Sequence, residues 1–209
     1  MAARIGRAVS TLDQGYETMA RDVTGAEELL RDDVVDRLRV HDIHYIGGGS
    51  AWAGRSSRYH KPEDAPVGSL ILDLAGSWDA RLRTALVSLL LRHPEYAPPA
   101  VEAARETRDA ATALLMRVSV IAAAALQHMW AFSLDLYLPS WTPIRAGALV
   151  RMLGAPSPSE DYGRAALDAL DDLLRRDDPF PTDYRGAWED VARHVLNDLR
   201  DENLSHAAS

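Results

Sequence analysis

Arginine and histidine recur five or six residues apart in this chain, as Arg39 with His44, Arg55 with His60 and Arg200 with His206. Such a pair could cleave RNA, because a guanidinium stabilises charge building on a phosphate while an imidazole assists attack by a 2′-hydroxyl. Three matches in one arginine-rich chain make the spacing unspecific. Arg55 falls in a loop and Arg200 in a C-terminal tail, away from the helical setting this chemistry uses. A second constellation is His41, His44 and His60 with Asp42, Glu63 and Asp64 nearby, which could hold a metal without cysteine. His41 and His44, three apart, would share one face of a helix. No His-Glu-x-x-His pattern accompanies them, and scattered loop histidines are the plainer account.

The turn Gly47-Gly48-Gly49-Ser50 resembles the strand-Gly-Ser-helix entry of minimal nucleotidyltransferases, in which backbone amides cradle a triphosphate and a following Asp-x-Asp binds magnesium. Asp73 is followed by Leu74 and Ala75, so the second carboxylate is missing and two-metal phosphoryl transfer lacks its ligands. The glycines read more simply as a turn that permits positive φ. Ser50, Ser56 and Ser57 form no nucleophile elbow. His128, beside Gln127, Met129 and Trp130 in an apolar run, reads as a hydrogen-bonded core histidine. The Arg-x4-6-His pairs match the signature of helical HEPN ribonucleases. An enzyme reading would therefore rest on Arg55 and His60 in the loop from Gly47 to His60.

The elements that must position these groups are helical. Leu29, Leu30, Val34, Val35 and Leu38 fall at helical spacing between about Thr11 and Val40. A long loop from Asp42 to Gly68 follows, and ordered connections of that length are often functional. Residues 69–91 predict two helices broken near Gly76, with Ser77 or Asp79 capping the second and Pro94 ending it. One helix is expected from about Ala100 to Leu136, with no formal charge from Val118 to Leu134. Its alanines, Gln127 and His128 favour a buried central helix over a membrane span. A short helix over Ile144 to Leu153 and amphipathic helices over Ser159 to Arg176 and Tyr184 to Leu204 complete the chain. The expectation is all-α: a single compact domain of six to eight helices, with 1–68 as N-terminal helices and glycine-rich loop, 69–204 as helical core and 205–209 as a frayed tail. Ser77 to Ala104 looks like one unit of a HEAT-type repeat, but no second copy recurs at a fixed period.

Composition narrows the function classes. The 209 residues include no cysteine, which excludes thiol catalysis, disulfides and cysteine-bearing zinc sites. A net charge of -8 argues against broad nucleic-acid binding, which depends on clustered cations releasing phosphate counterions. Arg81, Arg83 and Arg92, with Arg55 and Arg58, are the candidates for a local basic patch, against the alternative of a solvated helix face. Asp168, Asp171, Asp172, Asp177 and Asp178 form an acidic group that could meet a basic partner. Met1 to Arg7 lacks the apolar stretch of a signal peptide, so a cytoplasmic location is expected. Lys61 is the only lysine among 23 basic residues, a composition expected of a GC-rich bacterial genome.

Arg81 to Glu95, Ala125-Leu-Gln-His-Met-Trp130, Leu134-Asp-Leu-Tyr-Leu138, Leu153-Gly-Ala-Pro-Ser-Pro158 and the closing helix, covering roughly residues 70–200, resemble a bacterial family of uncharacterised all-helical proteins encoded beside small nucleotidyltransferases. The resemblance implies an antitoxin-like or regulatory partner role and provides no catalytic residues. The expected function is a non-catalytic interaction module with a bacterial protein partner, no cofactor, no membrane and a homodimer as one arrangement. Tryptophan is enriched in interface hot spots, so Trp52, Trp78, Trp141 and Trp188, with Arg81 and Arg83, are the candidate binding residues. A small-ligand sensor is a further alternative, to be recognised by a cavity along Leu114 to Leu138.

Overall fold

A computed structural model describes residues 31–47, 66–138, 141–176 and 183–207. Among the described residues there is no strand, and the chain is all-α. The helices are α1 (31–40), α2 (Val67–Gly76), α3 (Ala80–Arg92), α4 (Ala97–Glu106), α5 (Ala110–Met129), α6 (Ala131–Tyr137), α7 (Gly147–Leu153), α8 (Arg164–Arg175) and α9 (Tyr184–Ala207). The break near Gly76 lies where the sequence places it. Asp79 caps α3 by accepting the amide of Arg81 at 2.9 Å, satisfying one of the donors that a helix start leaves open.

The single helix expected from Ala100 to Leu136 is three helices. Asp109 caps α5 by accepting from Thr112 N, which separates α4 from α5, and the chain leaves helical geometry again at Trp130 before α6. The cap overrides the alanine-rich continuity because the Asp109 carboxylate also takes the Thr112 hydroxyl. Helix α9 runs through Ala207, past the point where the sequence predicts a frayed tail.

Helix α5 is the centre. It packs on α3, α4 and α8, and α3 also packs on α9. Met116, Val118, Ile121, Ala122, Ala123, Ala125 and Leu126 are fully buried. α5 is the one described helix long and apolar enough to cross a membrane, and most of it is enclosed by its neighbours here. Its four consecutive alanines, Ala122 to Ala125, allow close approach by other backbones. Gly163, at φ +86, sits against the carbonyl of Ala125, where any Cβ would clash with that backbone. Arg117 donates to the carbonyl of Ala104 at 2.8 Å, tying α5 to the end of α4. Gln127 Oε1 accepts the amide of Ile144 at 2.8 Å, which pins the segment before α7 onto α5.

Candidate functional site

Trp52, Arg55 and His60, with the glycine run beyond Gly47, Ser50, Ser56, Ser57, Arg58, Glu63 and Asp64, lie outside the described residues. The remaining predicted site residues are placed, and they do not converge on one site. Trp188 is in the core at 1% exposure, its ring tilted against Tyr184 with centroids 5.8 Å apart. It cannot meet a partner, because α9 points its apolar stripe of Trp188, Val191, Ala192, Val195 and Leu199 inward. Trp141 is half-buried and donates from Nε1 to Asp135 at 2.7 Å. Arg81 and Arg83 are two residues apart on α3 and therefore face different ways. Arg81 lines a depression with Tyr45 and His194, whereas Arg83 lines another with Trp78.

Among the described residues Trp78 is the exposed tryptophan, at 71%, standing in the link between α2 and α3. It is held out by its position in the chain: Gly76 ends α2, Asp79 caps α3, and Ser77 Oγ accepts the amide of Asp79 at 3.1 Å. The ring is shared by two depressions. One, of about 300 Å³, is walled by Leu72, Val34 and Leu82 and edged by Asp33, Asp73 and Asp79. The other, of about 400 Å³, is walled by Leu114, Leu173 and Leu174 and edged by Arg83 and Asp109. Arg83 Nε is buried there without a hydrogen-bond partner. Around Trp78 the charge that meets solvent is mixed with an acidic excess: Asp33, Asp73 and Asp109 reach solvent, and so does Arg31, which lines the first depression at 36% exposure and lies 3.3 Å from Asp79. Arg37 binds Asp73 at 2.6 Å and lies 3.8 Å from Asp33, yet its side chain is only 9% exposed against 48% and 43% for the two carboxylates. Asp109 is held below the ordinary carboxylate range by the Thr112 hydroxyl and amide.

The histidines are placed by a helix ending. The amide of Ile43 bonds the carbonyl of Leu38 and that of Asp42 the carbonyl of Arg39, both at 3.0 Å, with Asp42 left-handed at φ 59. This is a Schellman ending, closed by the buried pair Leu38 and Ile43. His41 is thus the last residue of the ending and His44 lies beyond it, so the two do not share a helix face. His41 Nδ1 accepts from the Tyr96 hydroxyl at 3.2 Å, its carbonyl accepts from His93 Nε2 at 3.0 Å, and burial with nearby His93 and Arg37 holds it below the usual histidine range. His44 is exposed, 4.0 Å from Asp42. Among the described residues no three histidine or carboxylate side chains converge as metal ligands. Of the Arg-His pairs, Arg39 is bound to Asp36 at 2.7 Å with His44 outside its helix. Arg200 and His206 both stand on α9, contrary to the expected tail, but six residues apart they sit about 120° from each other around the helix and share no face.

Sequence reasoning misses Asp73, Asp109, Leu173 and Leu174 beside Trp78. The cap at Asp109 is readable from Thr107-Arg108-Asp109 ahead of an apolar run; the approach of α8 is tertiary and leaves no local mark. Comparison with known proteins returns no matching family model, no matching curated protein and no matching solved structure.

Proposed function

We propose that this protein is a non-catalytic interaction module that engages a basic segment of a protein partner through Trp78 and the two depressions beside it, of which the one edged by Asp33, Asp73 and Asp79 carries an acidic excess. The observation that carries this reading is the 71% exposure of a tryptophan flanked by two apolar-walled hollows. Exposed indole of this kind is the residue type that dominates interface energetics when a partner covers it. The carboxylates of Asp33, Asp73 and Asp109 choose the sign of that partner: lysine or arginine near an apolar anchor. Enzymes that handle nucleic acid carry basic grooves, so a bacterial nucleotidyltransferase-type protein, restrained in an antitoxin-like manner by occlusion of such a groove, fits the surface chemistry.

The test is affinity capture from the native cell extract by the tagged protein, its Trp78→Ala form and its Asp73→Lys form, followed by titration of the purified partner. A hot-spot tryptophan predicts at least about 30-fold weaker binding for Trp78→Ala. Asp73→Lys and added salt should each slow association. A stoichiometric partner bound equally well by Trp78→Ala would overturn the surface assignment, and a partner insensitive to Asp73→Lys and salt would overturn its basic character.

A further inference from the structure

Among the described residues, a hollow larger than either depression beside Trp78 lies away from that ring. It is a cleft of about 810 Å³ between α4, α5 and residues 141–145, within the range of small-molecule sites. Val101, Val120, Leu138, Ile144 and the Trp141 ring form its apolar wall. The wall is held in place from behind, by the Gln127 to Ile144 bond at 2.8 Å and the Trp141 to Asp135 bond at 2.7 Å.

The polar groups on this cleft are not balanced. Arg92, at the end of α3, lines it with a side chain only 9% exposed. Its Nη2 donates to both oxygens of Glu202, at 2.8 and 2.7 Å, and lies 3.5 Å from Asp42. Its Nη1 is buried with no hydrogen-bond partner. A buried donor left open carries the full cost of its desolvation, and a ligand acceptor recovers it. Of the other charged groups on the cleft, Glu102 is bound by Arg105 at 3.0 Å and Glu95 lies 3.2 Å from His93 Nδ1. Arg145 is exposed and makes no ion pair among the described residues. One open buried donor and the exposed cation of Arg145 thus share this apolar-walled cleft with the exposed carboxylate of Glu95, which His93 balances only when protonated.

We propose that this cleft binds a small organic oxyanion, a carboxylate or phosphate monoester carrying an apolar or aromatic body. Arg145 pairs with the anionic group, Arg92 Nη1 donates to one of its oxygens once the side chain turns that buried atom into the cleft, and the body lies against Val101, Val120 and Trp141. The proposal is independent of the partner reading, since neither Trp78 nor its acidic flanks touch this cleft.

Isothermal titration of the full chain with 4-phenylbutyrate, with phenyl phosphate and with the methyl ester of 4-phenylbutyrate tests it. The expected result is saturable one-to-one binding of at least one of the two acids and none of the ester; which acid binds distinguishes the two oxyanions. Arg145→Gln, an exposed change that leaves the fold intact, should weaken that binding about tenfold. Val101→Trp, which fills the cleft without touching Arg92, should abolish it. Failure of both acids to bind at concentrations on the order of 10 mM, where fragments of this size register, would overturn the proposal. So would an ester that binds as well as its acid, or binding that survives Val101→Trp.

Discussion

The interior between α3, α5 and α9 and the rim where residues 41–45, the end of α3 and the last turns of α9 meet are built of opposite materials. In the interior, Leu86, Leu89, Leu90, Met116, Ile121 and Trp188 touch hydrocarbon on every side and are at most 1% exposed. At the rim, Arg92 binds Glu202, Tyr45 bonds Ser88 at 2.5 Å and stacks on His194 at 4.8 Å, and His41, His93 and Tyr96 cluster edge to face and stacked. The interior is specified by volume and the rim by charge and hydrogen bonds. The first should therefore fail when a shape changes, and the second when a charge or a proton changes.

The interior breaks hardest. Trp188→Ala should cost about 3–5 kcal/mol, because it combines lost burial with a cavity that its packed neighbours cannot close. Gly163→Ala adds a single methyl group, yet it should cost several kcal/mol, on the order of the same figure, because the new Cβ meets the Ala125 carbonyl at a positive φ. Urea titration followed by circular dichroism measures both. A Gly163→Ala protein as stable as its parent would show that α8 can slide on α5, and that the interior is less rigid than the contrast requires.

At the rim, Glu202→Ala removes the acceptor of Arg92 Nη2 and leaves a guanidinium that is 9% exposed with only Asp42 at 3.5 Å. The expected loss is about 1–3 kcal/mol, set by the unsatisfied buried donor. Added salt should reduce that loss only in part, since Arg92 is 9% exposed while Glu202 is 41% exposed. A loss below about 0.5 kcal/mol would place Arg92 with ordinary surface pairs and blur the two regions.

The same contrast governs how legible each region is in the sequence. The interior announces itself by composition, in the uncharged run that begins at Val118 and the inward spacing at Trp188, Val191, Val195 and Leu199, but the run overreaches: it is continuously buried only to Gln127, and His128, which reads as a core histidine, is exposed, as is Phe132. Local chemistry is nearly as legible, as the Asp79 cap shows. Helix endings are harder. The break after Val40 falls where the sequence places it, but Asp42 takes the left-handed position that glycine usually fills, and nothing local marks the ending that keeps His41 and His44 off a common helix face. The site residues are the least legible, because identical residue types meet opposite fates. Trp78 and Trp188 differ only in whether their neighbours continue an apolar stripe, and the walls beside Trp78 come from α5 and α8, far off in sequence. Arg92 is one of many arginines until α9 returns to place Glu202 against it.

At the opposite end of α3 from Arg92 is the Asp79 cap, whose carboxylate serves α3 and also lies 3.3 Å from Arg31. Asp79→Ala should cost about 1 kcal/mol, typical of a lost cap, measurable by the same urea titration. Asp79→Asn keeps the acceptor while removing the charge and should recover most of it. If Asn recovers nothing, the Arg31 ion pair outweighs the cap.

The smallest effect is a proton. His41 is held below its ordinary value of 6.5 by burial first, then by His93 and Arg37, while Asp42 opposes them. The folded protein therefore binds this proton less readily than the unfolded chain. The resulting stability is present above about pH 6.5 and is lost as pH falls from there through the folded value. Asp198 acts in the other direction: burial raises its carboxyl, against the pull of His44, Arg92 and His194, so the folded state takes up its proton more readily and gains stability as pH falls. The two partly cancel across the acidic range, and only variants separate them. His41→Asn retains an acceptor for the Tyr96 hydroxyl and removes the titration, so its melting temperature should fall less than the parent's between pH 7.5 and 5.5. Asp198→Asn removes the opposing gain, so when the melts are carried down toward the ordinary carboxylate range of about pH 4 it should fall more than the parent. Parallel melting curves for all three proteins would mean that neither group governs the rim, and that its stability, like that of the interior, is set by packing.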